Sequence, residues 1–302
     1  MPTKGVFKLK TPSRSTVKLG GFSYVEACEH DCDQMFHSRE SIKEFGEVIN
    51  YNWVMMRRSL AALTEEECQS MDNNMMSFMG PWWNDHKQER HEAQSGRLRI
   101  RQRTNADWKG WMSQDQLEGR MIPPGTWTQL VEVSEDAAER DTIWMADTPV
   151  EVADQMELFE VAHGRVLING LGLGMMQEWI LKEKPCVQHM DIVEVNEDII
   201  NLIAPYFEPY GLQVVEGSAT SDHLTRVTIH HADAYEMEWE PGTEWDVVFH
   251  DIWPSISDEN LEGMEKLRKK YARRARWQGC WAQRECEEFV EKVRQMVMGG
   301  RW

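Results

Sequence analysis

The sequence predicts an α/β protein: a Rossmann-like, doubly wound and mostly parallel sheet, preceded by an N-terminal region that is first helical and then a β-hairpin. Three observations carry this. After Pro149 short apolar β-type runs alternate with helical patterns, the order of βαβ units with helices on both sheet faces. The first run leads into "GRVLINGLGLGMMQEWIL" (164–181), where three glycines at alternate positions separate a strand-like from a helix-like segment. Acids then close the next two β runs, at Glu194 and Asp233.

Taken in order, residues 1–21 are polar and basic (Lys4, Lys8, Lys10, Arg14, Lys18), without apolar periodicity, and read as a flexible tail. Residues 22–125 read as mainly helical. Apolar residues recur at three and four spacing over 41–79, and Thr64 with Glu65, Glu66 and Glu67 forms an N-cap with an acidic first turn. Within this region "RLRIRQR" alternates, so on a strand Arg97, Arg99, Arg101 and Arg103 would share one face. Two β runs, 127–133 and 142–146, make 126–150 a β-hairpin linker. The site-bearing domain is 151–302, with β runs at 166–169, 189–195, 227–231 and 246–250 and helical patterns at 175–182, 197–206 and 258–272. "ARWQGCW" is its last strand candidate, followed by the helix-like "AQRECEEFVEKVRQMV".

At 302 residues, 41% of them apolar, the chain can bury a sizeable core of about two domains. No apolar run approaches the roughly 20 residues of a membrane helix, and the N-terminus lacks a signal-peptide core. We therefore expect a cytoplasmic protein with no membrane contact, in a host cytoplasm if viral. Six cysteines without framework spacing read as reduced thiols. Cys28, His30, Cys32 and His37 match no common zinc spacing and read as a polar turn, so no metal is expected. A net charge of −18 argues against wrapping nucleic acid with the whole surface. The arginine strand and the basic cluster at 266–276, seven basic residues in "EKLRKKYARRAR" against one acid, are the local candidates for polyanion contact.

Gly170, Gly172 and Gly174 sit where a strand ends and a helix begins, so backbone can approach a ligand closely. A dinucleotide fingerprint needs its third glycine at position 175, which is Met175; this disfavours NAD or FAD. Glu194, 20 residues past Gly174, stands where an acid accepts both ribose hydroxyls. Asp233 can accept the exocyclic amine of adenine, with the Ala234 backbone N–H donating. These residues compose a nucleoside site.

In this order and spacing they resemble the class I S-adenosylmethionine-dependent methyltransferases over about 161–297. The resemblance implies S-adenosylmethionine as cofactor, with the glycine loop beneath its methionine part, Glu194 on the ribose and Asp233 at adenine. Two departures stand out. The acid usual two residues before the first glycine is Ile168 here, and "IVEVNEDII" resembles the spermidine-synthase-like branch. That branch carries an aspartate in its glycine loop, which GLGLGM lacks, so aminopropyl transfer is disfavoured. The antiparallel strand pair that usually closes the sheet has no counterpart, so the methyltransferase fold reads as C-terminally truncated. The acceptor pocket would then be completed by the N-terminal half or by another subunit of a homo-oligomer. "HDIWP" and "WQGCW" resemble segments of methyltransferase-like bacteriophage proteins.

The fourth strand ends in "WDVVFHDIWPSI", the tip that faces the sulfonium carbon in the family. Methyl transfer requires an acceptor lone pair held in line and, for some acceptors, removal of a proton. Asp251 is the candidate to position or deprotonate the acceptor, with His250 second because it titrates near neutrality. Trp253 can stack on a planar acceptor or on adenine, beside Pro254. Alternatively Asp251 caps the next turn and Trp253 fills the core. The sequence thus points to an S-adenosylmethionine-dependent methyltransferase of unidentified acceptor. The alternatives are a phage-associated binding or structural module on the same fold, or an aminopropyltransferase-like enzyme.

Overall fold

The computed structural model describes residues 16–19, 22–25, 90–105, 125–136, 140–217, 225–287 and 290. Strands β1 (Thr16–Leu19) and β2 (Phe22–Val25) pair antiparallel with Leu19 opposite Phe22. The segment read as a flexible tail through residue 21 therefore ends in a strand. Its Thr-Val-Lys-Leu has the alternation of a strand edge, which the dominant basic composition had outweighed. The helical pattern at 41–79 and the Cys28, His30, Cys32, His37 cluster lie outside the described residues.

Strands β3 (Ala93–Ser95), β4 (Leu98–Asn105), β5 (Gly125–Glu132) and β6 (Thr142–Ala146) form an antiparallel sheet in that order. Residues 93–105 are thus extended where a mainly helical region was expected, and the hairpin is half of a sheet rather than a linker. Period two decides it: Leu98 and Ile100 are 2% and 0% exposed, while the arginines take the opposite face as the alternation required. That arginine row is largely compensated inside its own sheet. Arg97 pairs with Glu132 at 3.2 Å, Arg101 with Asp141 at 2.6 Å, and Arg99 donates to Gln94 Oε1 at 2.9 Å.

The remaining described chain builds the second layer system: α1 (Pro149–Val161), β7 (Gly164–Asn169), α2 (Met175–Glu183), β8 (Val187–Glu194), α3 (Glu197–Ile203), a 3₁₀ segment (Ala204–Tyr210), β9 (Leu212–Glu216), β10 (Val227–His231), β11 (Trp245–His250), α4 (Asn260–Tyr271) and β12 (Ala275–Cys280). Its six strands are all parallel, in the order β12-β11-β7-β8-β10-β9. Val166, Leu167 and Ile168 are each at most 1% exposed, the continuous apolar run expected of a strand covered on both faces. On one side Val166, Ile168, Ile192 and Phe249 meet the apolar residues of α1, α2 and α3 and of the antiparallel sheet. On the other, Leu167, Val193 and Val248 meet Leu267 and Tyr271 of α4. β9 escaped the sequence reading because an outer strand of half-exposed residues has no apolar run to announce it. Among the described residues no strand follows Cys280.

α3 starts as its sequence dictates, with the Asn196 side chain accepting from the Asp198 N–H at 2.9 Å and two acids in the first turn. Asp191, 3% exposed on β8, is an acid inside the sheet layer. Its oxygens accept from Trp245 Nε1 at 2.8 Å, His230 Nε2 at 3.0 Å and His189 Nε2 at 3.2 Å. Burial would raise its pKa, but these hydrogen bonds hold the carboxyl far below the usual carboxylate range.

From β7 the order runs to β8, β10 and β9 one way and to β11 and β12 the other, so it reverses between β7 and β11. Connections leave these two carboxyl ends in opposite directions, which opens a crevice between them.

Candidate functional site

Asn169 ends β7 and His250 ends β11, in register, and the Asp251 N–H donates to the Asn169 carbonyl at 2.7 Å. The chain after β7 therefore turns immediately beside Asp251. Gly170 takes φ +105°, and a Cβ there would overlap the Asp251 carbonyl oxygen, so only glycine fits this close approach. Gly172, at φ +52°, lies under Met145 of β6, whose Sδ accepts from the Leu173 N–H at 3.0 Å. Gln177 of α2 ties the turn from within, donating to the Gly170 and Leu171 carbonyls at 3.2 and 3.3 Å.

A cavity of about 560 Å³ occupies the crevice, within the roughly 300–1,000 Å³ of small-molecule sites. Of the sequence-predicted residues, Gly170, Gly172, Glu194, Asp233, Ala234, Asp251, Trp253 and Pro254 all line it. Gly174 does not line it: it caps α2 at φ +66°, packed against Ile203 and Phe207.

Glu194, 7% exposed at the end of β8, accepts from the Leu171 N–H at 3.0 Å and the Asn196 N–H at 2.8 Å. One carboxylate thus joins the glycine loop to the cap of α3. Burial raises its pKa, and those backbone donors partly offset the shift. Asp233 is exposed, and its Oδ1 accepts from the Tyr235 N–H at 2.7 Å. Lys270 of α4 fixes the same turn by donating to the Ala234 and Tyr235 carbonyls at 3.0 and 2.9 Å. Much of the basic cluster is spent inside the fold in this way, since Arg274 holds the Trp239, Glu240 and Thr243 carbonyls and Arg276 pairs with Asp246 at 2.9 Å.

Asp251 accepts from Gln155 Nε2 of α1 at 2.6 Å. Withdrawal from water pushes its pKa up to about 7, the Gln155 hydrogen bond opposes this, and the nearby charge of Asp154 adds to it. His250, by contrast, is 0% exposed and does not line the cavity, which removes it as a candidate base. It points into the α4 layer beside Tyr271, with Nδ1 2.7 Å from Asn169 Nδ2 and Nε2 3.4 Å from Gln278 Oε1. Burial depresses its pKa to about 4, so the ring is neutral at ordinary pH. Ile168 is 1% exposed in the core, so β7 brings no acid to the crevice.

Several lining residues were missed from sequence. Glu151 and Gln155, one helical turn apart on α1, and Trp144 and Met145 on β6 all face the cavity. Nothing local marks them; they belong to elements whose relation to the parallel sheet is set only by packing. β6 and α1 thus supply part of the cavity wall. Arg90, 2% exposed, ties its segment to the glycine turn and α2: it donates to the Leu173 carbonyl at 3.0 Å and pairs with Glu178 of α2 at 2.7 Å.

Fold and crevice together define a Rossmann-like α/β protein with a ligand-sized cavity at the switch point of its parallel sheet. Parts of the chain are similar to several solved structures. A proposed RNA methyltransferase from Pyrococcus horikoshii aligns at 14% identity, covering 46% of this chain and 61% of that one, with a TM-score of 0.31. A dimethyladenosine transferase from Plasmodium falciparum aligns at 13% over 41% and 36% of the two chains, TM-score 0.28. The plantazolicin methyltransferase BpumL in complex with SAH aligns at 14% over 42% and 40%, TM-score 0.26. Each alignment spans less than two thirds of the similar structure's own length. No protein-family model matches the sequence, and no curated protein matches it.

Proposed function

We propose that this protein is an S-adenosylmethionine-dependent methyltransferase whose acceptor meets Asp251. The observation that carries the reading is the convergence of the Gly170 turn, Glu194, Asp233 and Asp251 on one cavity at the switch point. The residues fit such a cofactor. Gly170 and Gly172 line the cavity, so their backbone can approach a ligand closely; Glu194 has lone pairs left for ribose hydroxyls, and Asp233 with Ala234 would meet adenine. The polar groups absent at Ile168 are supplied from α1 by Glu151 and Gln155. When bound, the cofactor supplies an electrophilic methyl group on a sulfonium. Asp251, held by Gln155 and titrating near neutrality, orients the acceptor and takes its proton. Trp253 and Pro254 wall the acceptor side.

Isothermal titration with S-adenosylmethionine, SAH and NAD tests this. The first two bind and NAD binds more weakly; a preference for NAD overturns the assignment. Transfer of a labelled methyl group to an acceptor pool completes the case, and tight SAH binding without transfer to any pool favours the binding-module reading.

A further inference from the structure

The charge of the cavity wall constrains what can enter beside Asp251. Its charged residues are Glu151, Glu194, Asp233 and Asp251, and among the described residues no lysine, arginine or histidine lines it. The uncharged wall is rich in aromatic surface, with Trp144 from β6, Trp253 after β11 and Trp281 after β12. Carboxylates and indole rings lining one cavity can attract a cation by charge and, where a ring face is presented, by its quadrupole. A phosphate or carboxylate acceptor would instead meet Asp251 in an acidic cavity with no counter-charge on its wall, at a large desolvation cost. The volume of about 560 Å³ limits the guest, next to a nucleoside cofactor, to a small molecule or a single side chain.

We propose that the acceptor is an alkylamine, entering the cavity as its ammonium ion and held between Asp251 and the tryptophan faces. This rests on the methyltransferase reading for its chemistry but not for its binding. An ammonium nitrogen has no free lone pair, so one N–H bond must break before it can attack, its electrons staying on nitrogen. The proton passes to the carboxylate of Asp251, whose elevated pKa suits it to that exchange; the freed lone pair would then form the new N–C bond as the methyl–sulfur bond breaks, its electrons leaving with the sulfur of SAH. Neutral and anionic acceptors gain nothing from this wall.

The test uses the full chain saturated with SAH and titrates it with cadaverine, Nα-acetyllysine methylamide, pentanol and glutarate. Both amines share the alkylammonium group, and their relative affinity tells a free amine from a lysine side chain. At least one amine binds about tenfold or more tightly than pentanol, and glutarate does not bind. In Asp251→Asn that preference falls about tenfold while SAH affinity is kept. Equal binding of pentanol or glutarate, or an amine preference untouched in a variant that still binds SAH, overturns the proposal. Asp251-dependent amine binding by a chain that fails to bind SAH sinks the cofactor assignment and leaves the amine site standing.

Discussion

Replacing Glu194 by alanine separates the structural job of its carboxylate from the cofactor contact proposed for it. Its oxygens accept two backbone N–H groups, from Leu171 at 3.0 Å and Asn196 at 2.8 Å, in a side chain 7% exposed. Hydrogen bonds to a charged acceptor contribute about 1.5–3 kcal/mol each, and cavity water can replace part of that loss. The expected destabilisation is about 2–4 kcal/mol, measured by urea unfolding. The proposed second job is to accept the ribose hydroxyls. Wild-type protein should prefer SAH to its deoxyribose analogue by about tenfold, and the variant should bind the two alike, which a double-mutant-style comparison reads independently of overall affinity. Unchanged stability would refute the anchoring of the glycine loop. A retained preference for the ribose would refute the hydroxyl contact even if stability falls as expected.

The other expectations concern the carboxylates and the glycine turn. Asp251 has a folded pKa of about 7 against 3.8 in the open chain, so its contribution to stability is full below about 3.8 and is lost as pH rises through 7. Asp251→Asn should therefore gain stability relative to wild type between pH 5 and pH 8, and a pH-independent difference would contradict the burial argument; wild-type turnover should rise with pH through about 7. Gly170→Ala combines an unfavourable φ of +105° with an overlap onto the Asp251 backbone, and should cost about 2 kcal/mol or more and abolish SAH binding. Near-native SAH affinity in that variant would show that the turn is free to move. Asp191→Asn leaves Trp245, His230 and His189 facing a group that cannot accept from all of them, and should cost about 3–5 kcal/mol by chemical unfolding. Because its folded pKa is depressed, the stability Asp191 gives is present above pH 3.8 and is lost as pH falls through its folded value, so the variant's deficit should shrink in acid. A deficit that persists unchanged in strong acid would assign the loss to packing instead.

The parallel sheet was legible because strands covered on both faces leave unmistakable apolar runs, such as Val166 to Ile168 and Val247 to Phe249. Glu194, Asp233 and Asp251 were legible for a related reason: each is a polar residue at or just beyond the end of such a run, where the chain emerges from the core. The edge strand β9 and the strands at 93–105 were harder, since a half-exposed strand and a charged amphipathic helix can share composition. His250 shows where the signal ends. It stands one residue before Asp251 and looks chemically better suited to proton transfer, yet strand register turns it into the α4 layer beside Tyr271.

By itself the sequence determined the order of strands and helices after Val161 apart from β9, the glycine turn after β7 and the acids at the strand ends, because these depend on periodicity and on which residues tolerate unusual backbone. Tertiary structure alone decided which groups share the cavity. Met145 meets Leu173 across 28 residues of chain and Arg90 meets Leu173 across 83, contacts whose partners carry no mark of one another in the sequence. Packing of the antiparallel sheet and α1 against the parallel sheet brings Trp144, Glu151 and Gln155 to Asp251. Such long-range closure is fixed by the fit of whole surfaces, and local patterns hold no record of it.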